Sequence, residues 1–194
     1  MNVKNFSLNN VEIAILKVDD WKEFFPQKNI SKIIENQKRI IEKEGVKYLI
    51  QKYLPFDNLD YNPNGKPILA SGGHISISHS RSLIGIAWSF EYNIGLDIEE
   101  INERVLKVES RFIHDEEKLF SKTLKDKISI WGIKEALIKI YDNKSLNLKN
   151  DLRVRKVSKN KWNGISPKLT SHTIDFCTFE FHNNIICINT SGEQ

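Results

Sequence analysis

The sequence predicts an α+β fold built from two similar subdomains, residues 1–92 and 93–194. Two observations predict it. Helical apolar spacing over 31–53 gives way to strand-like runs, and a second helical stretch, 126–141, is followed by another series of strands. The 194 residues are 40% hydrophobic, enough for a packed core without disulfides. No repeat and no low-complexity linker separates the halves.

The elements follow in order. Residues 11–18 (VEIAILKV) are β-branched and apolar and read as a strand. Over 31–53, Ile33, Ile34, Ile40, Ile41, Val46, Leu49 and Ile50 recur at spacings of three and four. That predicts an amphipathic helix or helix pair, with Ser31 as N-cap, Gly45 as an interruption and Pro55 as the stop. Asn64-Gly65 marks a turn. HISISHS, residues 83–90 (LIGIAWSF) and IGLDIE read as three strands in close succession, which argues for antiparallel pairing. In the first of these the isoleucines alternate with Ser76 and Ser78, as in a half-buried strand. Residues 102–122 are charged, with helical spacing of Val105, Val108, Phe112 and Leu119. After the helix at 126–141 comes a meander: LRVRKV, a turn at Asn163-Gly164, HTIDFCTFEF, a turn at Asn183-Asn184, and IICINT.

The formal charge of +4 favours an anionic ligand or an acidic partner and falls short of a dedicated nucleic-acid binder. The N-terminal stretch lacks a signal-peptide pattern, and its apolar run is too short to span a bilayer, so a cytoplasmic protein is expected. Cys177 and Cys187 make no metal pair and read as small hydrophobes. No two histidines stand at zinc-ligand spacing.

Four short motifs carry chemistry. In Gly95-Leu96-Asp97-Ile98-Glu99 the strand period puts Asp97 and Glu99 on one face and the apolar pair on the other. Two carboxylates on one face repel, and a hard cation such as Mg²⁺ relieves them. In Trp131-Gly-Ile-Lys-Glu-Ala-Leu-Ile-Lys139, Glu135 and Lys139 share a helix face, Lys134 is adjacent, and Trp131 and Ile138 anchor the helix. Gly65-Lys66-Pro67 holds a lysine between two backbone-restricted residues. Ser78-His79-Ser80 ends a strand with groups that can meet a phosphate. Taken singly, each has a plainer reading: solvated acids, a surface ion pair of about 0.3–0.5 kcal/mol, a turn lysine, a structural histidine.

Together and in this order, over residues 65–139, the motifs resemble the 4′-phosphopantetheinyl transferase superfamily, in its single-chain, two-subdomain Sfp-type branch. The resemblance implies two α/β subdomains packed as a pseudo-dimer with the site in the cleft between them. It implies transfer of 4′-phosphopantetheine from coenzyme A to a serine of an apo acyl or peptidyl carrier protein, with Mg²⁺. Asp97, Glu99 and Glu135 would hold the metal. Lys139 and Lys134 would neutralise phosphates, and Lys66, Ser78 and His79 would contact the nucleotide end of coenzyme A. Lys47 takes the helix position usually filled by arginine, with Arg39 a second candidate. Glu135 is the candidate base. An acidic carrier protein is the expected partner, with no nucleic acid and no membrane, and the enzyme is expected to act as a monomer. Two departures stand out: Gly132 where alanine or a small polar residue is usual, and Glu100 where a basic residue is common. Two other readings share these residues, a magnesium-dependent hydrolase of nucleotides and a binding module for an acidic protein or RNA.

Overall fold

The computed structural model of the chain describes residues 3–18 and 35–192, so the Ser31 cap and the apolar positions 33 and 34 lie outside the described residues. The fold is α+β, with two antiparallel sheets and a long helix against each. We number the strands β1 (Val3–Leu8), β2 (Val11–Lys17), β3 (Leu59–Tyr61), β4 (Pro67–Leu69), β5 (His74–His79), β6 (Leu83–Ser89), β7 (Leu96–Glu100), β8 (Arg153–Lys156), β9 (Lys161–Ile165), β10 (Ile174–Phe181) and β11 (Asn184–Asn189). The helices are α1 (Glu35–Tyr53) and α2 (Leu124–Tyr141).

The first sheet has the order β1-β2-β6-β5-β4-β3 and the second β7-β11-β10-β9-β8. Strand alternation sorts the core into three parts. On β2, Ala14 and Leu16 face α1, where they meet Val46, Leu49, Ile50 and Leu54. Val11, Ile13 and Ile15 point the other way and pack on Leu96, Ile98, Ile186 and Ile188 of the second sheet. Beyond that sheet, Ile185, Cys187, Trp162 and Phe176 pack against Ile130, Ile133 and Leu137 of α2. The order is therefore helix, sheet, sheet, helix.

Several expectations change. An N-terminal strand, β1, precedes β2 through a turn at Asn9-Asn10, both at positive φ. Gly45 does not interrupt α1; it brings the helix against Ile84, which a Cβ would meet at 2.5 Å. The expected third member of the β5–β6 group, β7, pairs instead with β11 (Asp97 opposite Cys187) and opens the second sheet. The charged stretch 102–122 forms two 3₁₀ segments, Glu103–Arg111 and Asp115–Leu119, rather than an α-helix. Asn163-Gly164 lies inside β9 and not at a turn; Gly164 lets Leu137 of α2 approach the sheet. The last hairpin turns at His182-Asn183, one residue before the expected place.

α2 is well specified at its start. Thr123 caps the Asp126 amide, and the Asp126 carboxylate accepts from the Thr123 amide in return. Lys156 of β8 then pairs with Asp126, tying the helix start to the far edge of the sheet.

Candidate active site

The seam between the sheets is made by side chains. Ser76 and Ser78 of β5 do not point to solvent as the alternation suggested. Their Oγ atoms accept the N–H groups of Leu96 (2.9 Å) and Ile98 (3.1 Å) on β7. This leaves Ser78 only 7% exposed. It also places β7 where its other face meets α2. Gly95 permits that contact, since a Cβ there would run into the Ala136 carbonyl oxygen.

On that face, Asp97 is 5% exposed. Its Oδ1 accepts from Lys139 Nζ (2.9 Å) and Ser78 Oγ (3.1 Å), while Lys139 also donates to the Leu96 carbonyl (2.7 Å). Asp97 Oδ2 is buried and has no hydrogen-bond partner among the described residues. Trp131 Nε1 donates to Glu99 Oε1 (2.8 Å), and its ring meets Phe112 edge-on. Trp131 thus does more than anchor the helix, and its place one turn before the helical glutamate is the sequence signal for it. Gly132 explains its own departure: a Cβ there would lie 2.7 Å from Cys187 Sγ and 3.3 Å from Asp97 Oδ2.

The acids repel one another in a half-dry setting. Burial raises the Glu99 carboxyl to about 7, with Asp97 adding to the rise and the Trp131 N–H opposing it. Glu135 is likewise raised by burial and by the charge of Asp97, with Lys139 opposing. The sign of the linkage is set by these raised values. Glu99 binds its proton more tightly folded than unfolded, so its contribution to stability is full below 4.5 and is lost as pH rises to about 7. Thermal melts of the metal-free protein across that window should show stability falling with rising pH, and a shallower fall for Glu99→Gln, in which Glu135 still titrates.

A divalent cation fits this donor set: hard oxygens, excess negative charge and an open buried Oδ2 on Asp97. Among the described residues no three such side chains already converge as a ligand set. Lys139 and Ser78 occupy Asp97 Oδ1, and Trp131 occupies one oxygen of Glu99.

The remaining expected residues separate. Lys134 is 0% exposed and donates to the Phe112 carbonyl (2.7 Å) and Glu117 Oε2 (2.8 Å). Neighbours on a helix are about 100° apart, so Lys134 faces the core while Glu135 faces β7; it is not a phosphate clamp. Lys47 and Arg39 line a cleft of about 660 Å³ with Lys43 and His79. Spacings of four make Arg39, Lys43 and Lys47 one basic stripe of α1. His79 also borders a second cleft of about 420 Å³, shared with Glu99 and Trp131, and its Nδ1 lies 3.1 Å from Glu42. Lys66 lines a third cavity, of about 290 Å³, with Lys139. Its Nζ is held by the Ile140 carbonyl (3.2 Å) and Asn93 Oδ1 (3.3 Å), and burial lowers its pKa.

Residues 93–189, which carry Asp97, Glu99, Glu135 and Lys139, match the profile of the 4′-phosphopantetheinyl transferase superfamily. The chain belongs to this superfamily. A stretch of 102 residues is 36% identical to the 4′-phosphopantetheinyl transferase gsp of Aneurinibacillus migulanus. That stretch is 48% of this chain and covers 43% of the relative, less than half of its length. The superfamily match begins two residues before Gly95 and ends with β11, so it spans the whole second sheet and α2. Among the described residues no helix is long and apolar enough to cross a membrane.

Proposed function

We propose that the protein is a magnesium-dependent 4′-phosphopantetheinyl transferase of the Sfp-type branch, moving the group from coenzyme A to a serine of an apo acyl or peptidyl carrier protein. The observation that carries this reading is the meeting of Asp97 and Glu99 of β7 with Glu135 and Lys139 of α2, beside an open Asp97 Oδ2.

Asp97, Glu99 and Glu135 would hold Mg²⁺. When bound, the ion supplies positive charge to the pyrophosphate oxygens. Glu135 takes the proton of the carrier serine, which its raised proton affinity favours. The serine oxygen bonds to the phosphorus of the pantetheine phosphate, the bond to the bridging oxygen breaks, and adenosine 3′,5′-bisphosphate leaves. Lys139 faces the charge that builds on those oxygens. Trp131 fixes the Glu99 carboxylate, and Ser78 acts through Asp97 rather than on the nucleotide. His79 and the stripe Arg39, Lys43, Lys47 take the nucleotide end, where cations suit the 3′-phosphate. Lys66 borders the same donor path.

We take residues 1–92 and 93–194 as the two subdomains of a pseudo-dimer. The grounds are that the strands through Ser89 form one sheet and those from Leu96 the other. An acidic carrier, a monomeric enzyme and a cytoplasmic location complete the reading.

The test is intact mass spectrometry of apo carrier proteins after incubation with the protein, coenzyme A and Mg²⁺. A gain of one phosphopantetheine, lost with EDTA and in Asp97→Ala, supports the reading. Release of adenosine 3′,5′-bisphosphate without carrier modification would replace it with a hydrolase. Neither product, together with no coenzyme A binding, would end it.

A further inference from the structure

The end of α2 is unusual for a residue it contains and for what that residue holds. The helix stops at Asp142, in the left-handed conformation (φ 50°, ψ 37°). Glycine is the low-cost residue there, because a side chain is crowded against the backbone. Here the side chain is used. The Asp142 carboxylate accepts from Asn62 Nδ2 (2.7 Å) and from Asn64 Nδ2 (3.1 Å), both on the turn between β3 and β4. The bonds cross from the second half of the molecule to the first.

The turn is built to present these donors. Asn62 Oδ1 accepts the N–H groups of Asn64 (3.0 Å) and Lys66 (2.9 Å), so the side chain that reaches Asp142 also shapes its own loop. Two lysines complete the joint. Lys144 Nζ donates to the Asn64 carbonyl (2.5 Å), and Lys66 Nζ to the Ile140 carbonyl, in the last helical turn where C=O groups lack intrahelical donors. The joint spans the 290 Å³ cavity, with Gly65 and Lys66 on one wall and Ile138, Lys139 and Asp142 on the other. Lys139 is one helical turn before Asp142, so movement at the joint moves its ammonium.

We infer that Asp142, through Asn62 and Asn64, is a positioning residue that fixes the width of this cavity and the placement of Lys139 for the donor. The assignment to the donor rests on the transferase reading above; the joint itself does not.

Three variants test it. Asp142→Gly relaxes the left-handed backbone and removes both bonds, so it separates positioning from folding. Asp142→Asn keeps an acceptor oxygen and tolerates the conformation. Asn64→Ala cuts one bond from the other side. Asp142→Gly should raise KM for coenzyme A and lower kcat with it, about tenfold together in kcat/KM, with a melting temperature close to that of the wild type. Asp142→Asn should stay near the wild type. Adding Asn64→Ala to Asp142→Gly should cost nothing more, because both act on the same bond. An unchanged kcat/KM in Asp142→Gly, equal losses in Gly and Asn variants, or additive losses would each overturn the inference. If the wild type transfers nothing, the transferase reading has failed and the joint is read by hydrogen exchange. Faster exchange at both 138–146 and 62–66 in Asp142→Gly then supports the joint, and unchanged exchange refutes it.

Discussion

Glu135→Gln is expected to lose at least about 100-fold in phosphopantetheinyl transfer while the metal-free protein becomes more stable. Glutamine keeps the shape of the side chain, cannot take the serine proton and offers a cation no charge. The stability gain comes from the same chemistry. Burial and Asp97 already raise the proton affinity of Glu135, which means its ionised form is held at a cost in the folded state. Glu99 is raised by the same neighbour and by Glu135 itself, so removing one charge relieves two groups. A gain of about 0.5–2 kcal/mol corresponds to a rise of a few degrees in melting temperature for a chain of this size. Single-turnover transfer and melts in EDTA measure the two effects. A variant that loses activity and also melts lower would show that Glu135 stabilises the fold, and the view of a strained acidic cluster would fail.

The largest expected stability effect lies behind that cluster. Lys134 and Glu117 are an ion pair with almost no exposure, and burial lowers the Lys134 pKa to about 8 against the pull of Glu117. Glu117 does more than pair: it also accepts the N–H groups of His114 (2.7 Å) and Val154 (2.8 Å), joining a 3₁₀ segment, β8 and α2. Lys134→Met leaves the carboxylate with two donors but removes its counter-charge, and should cost about 3–5 kcal/mol. That is roughly 6–20 °C in melting temperature. Glu117→Leu should cost more, because it strands a buried ammonium and two backbone N–H groups together. Urea unfolding of both variants gives the ranking. Wild-type stability in Lys134→Met with transfer lost would return Lys134 to the phosphates.

The strand period made the two faces of β7 legible, and the helix period put Glu135 and Lys139 together before any fold was known. Lys134 misled because adjacency in sequence is not adjacency on a helix, and its partner Glu117 sits in a charged stretch with no mark that sets it apart from its neighbours. The serines of β5 misled in the opposite sense. A polar side chain in alternation with isoleucine reads as exposed, unless a second strand offers N–H groups to it. The pairing of β7 with β11 had no local signal at all, since the partner lies some 90 residues later (Leu96 opposite Ile188). Asn163-Gly164 carried turn chemistry, but its glycine answers to the approach of α2. The double asparagine before Val11 is a hairpin signal, and both residues take the positive φ such a turn needs.

The partner of β7 also sets a schedule for the site. During synthesis the first sheet is complete once Ser89 has been made, with β2 paired to β6 from Glu12 opposite Trp88 to Lys17 opposite Leu83, and it can form before the second sheet exists. β7 follows within a few residues, carrying Asp97 and Glu99, but its neighbour β11 is the last strand, ending at Asn189. At about 5–20 residues per second, β7 waits roughly 4–18 seconds with its ladder edge bare. Through that interval the hydroxyls of Ser76 and Ser78, with the apolar face of β2 against Leu96 and Ile98, are positioned to hold it. They make a temporary mooring for the acidic strand against the finished half, in addition to their place in the native seam.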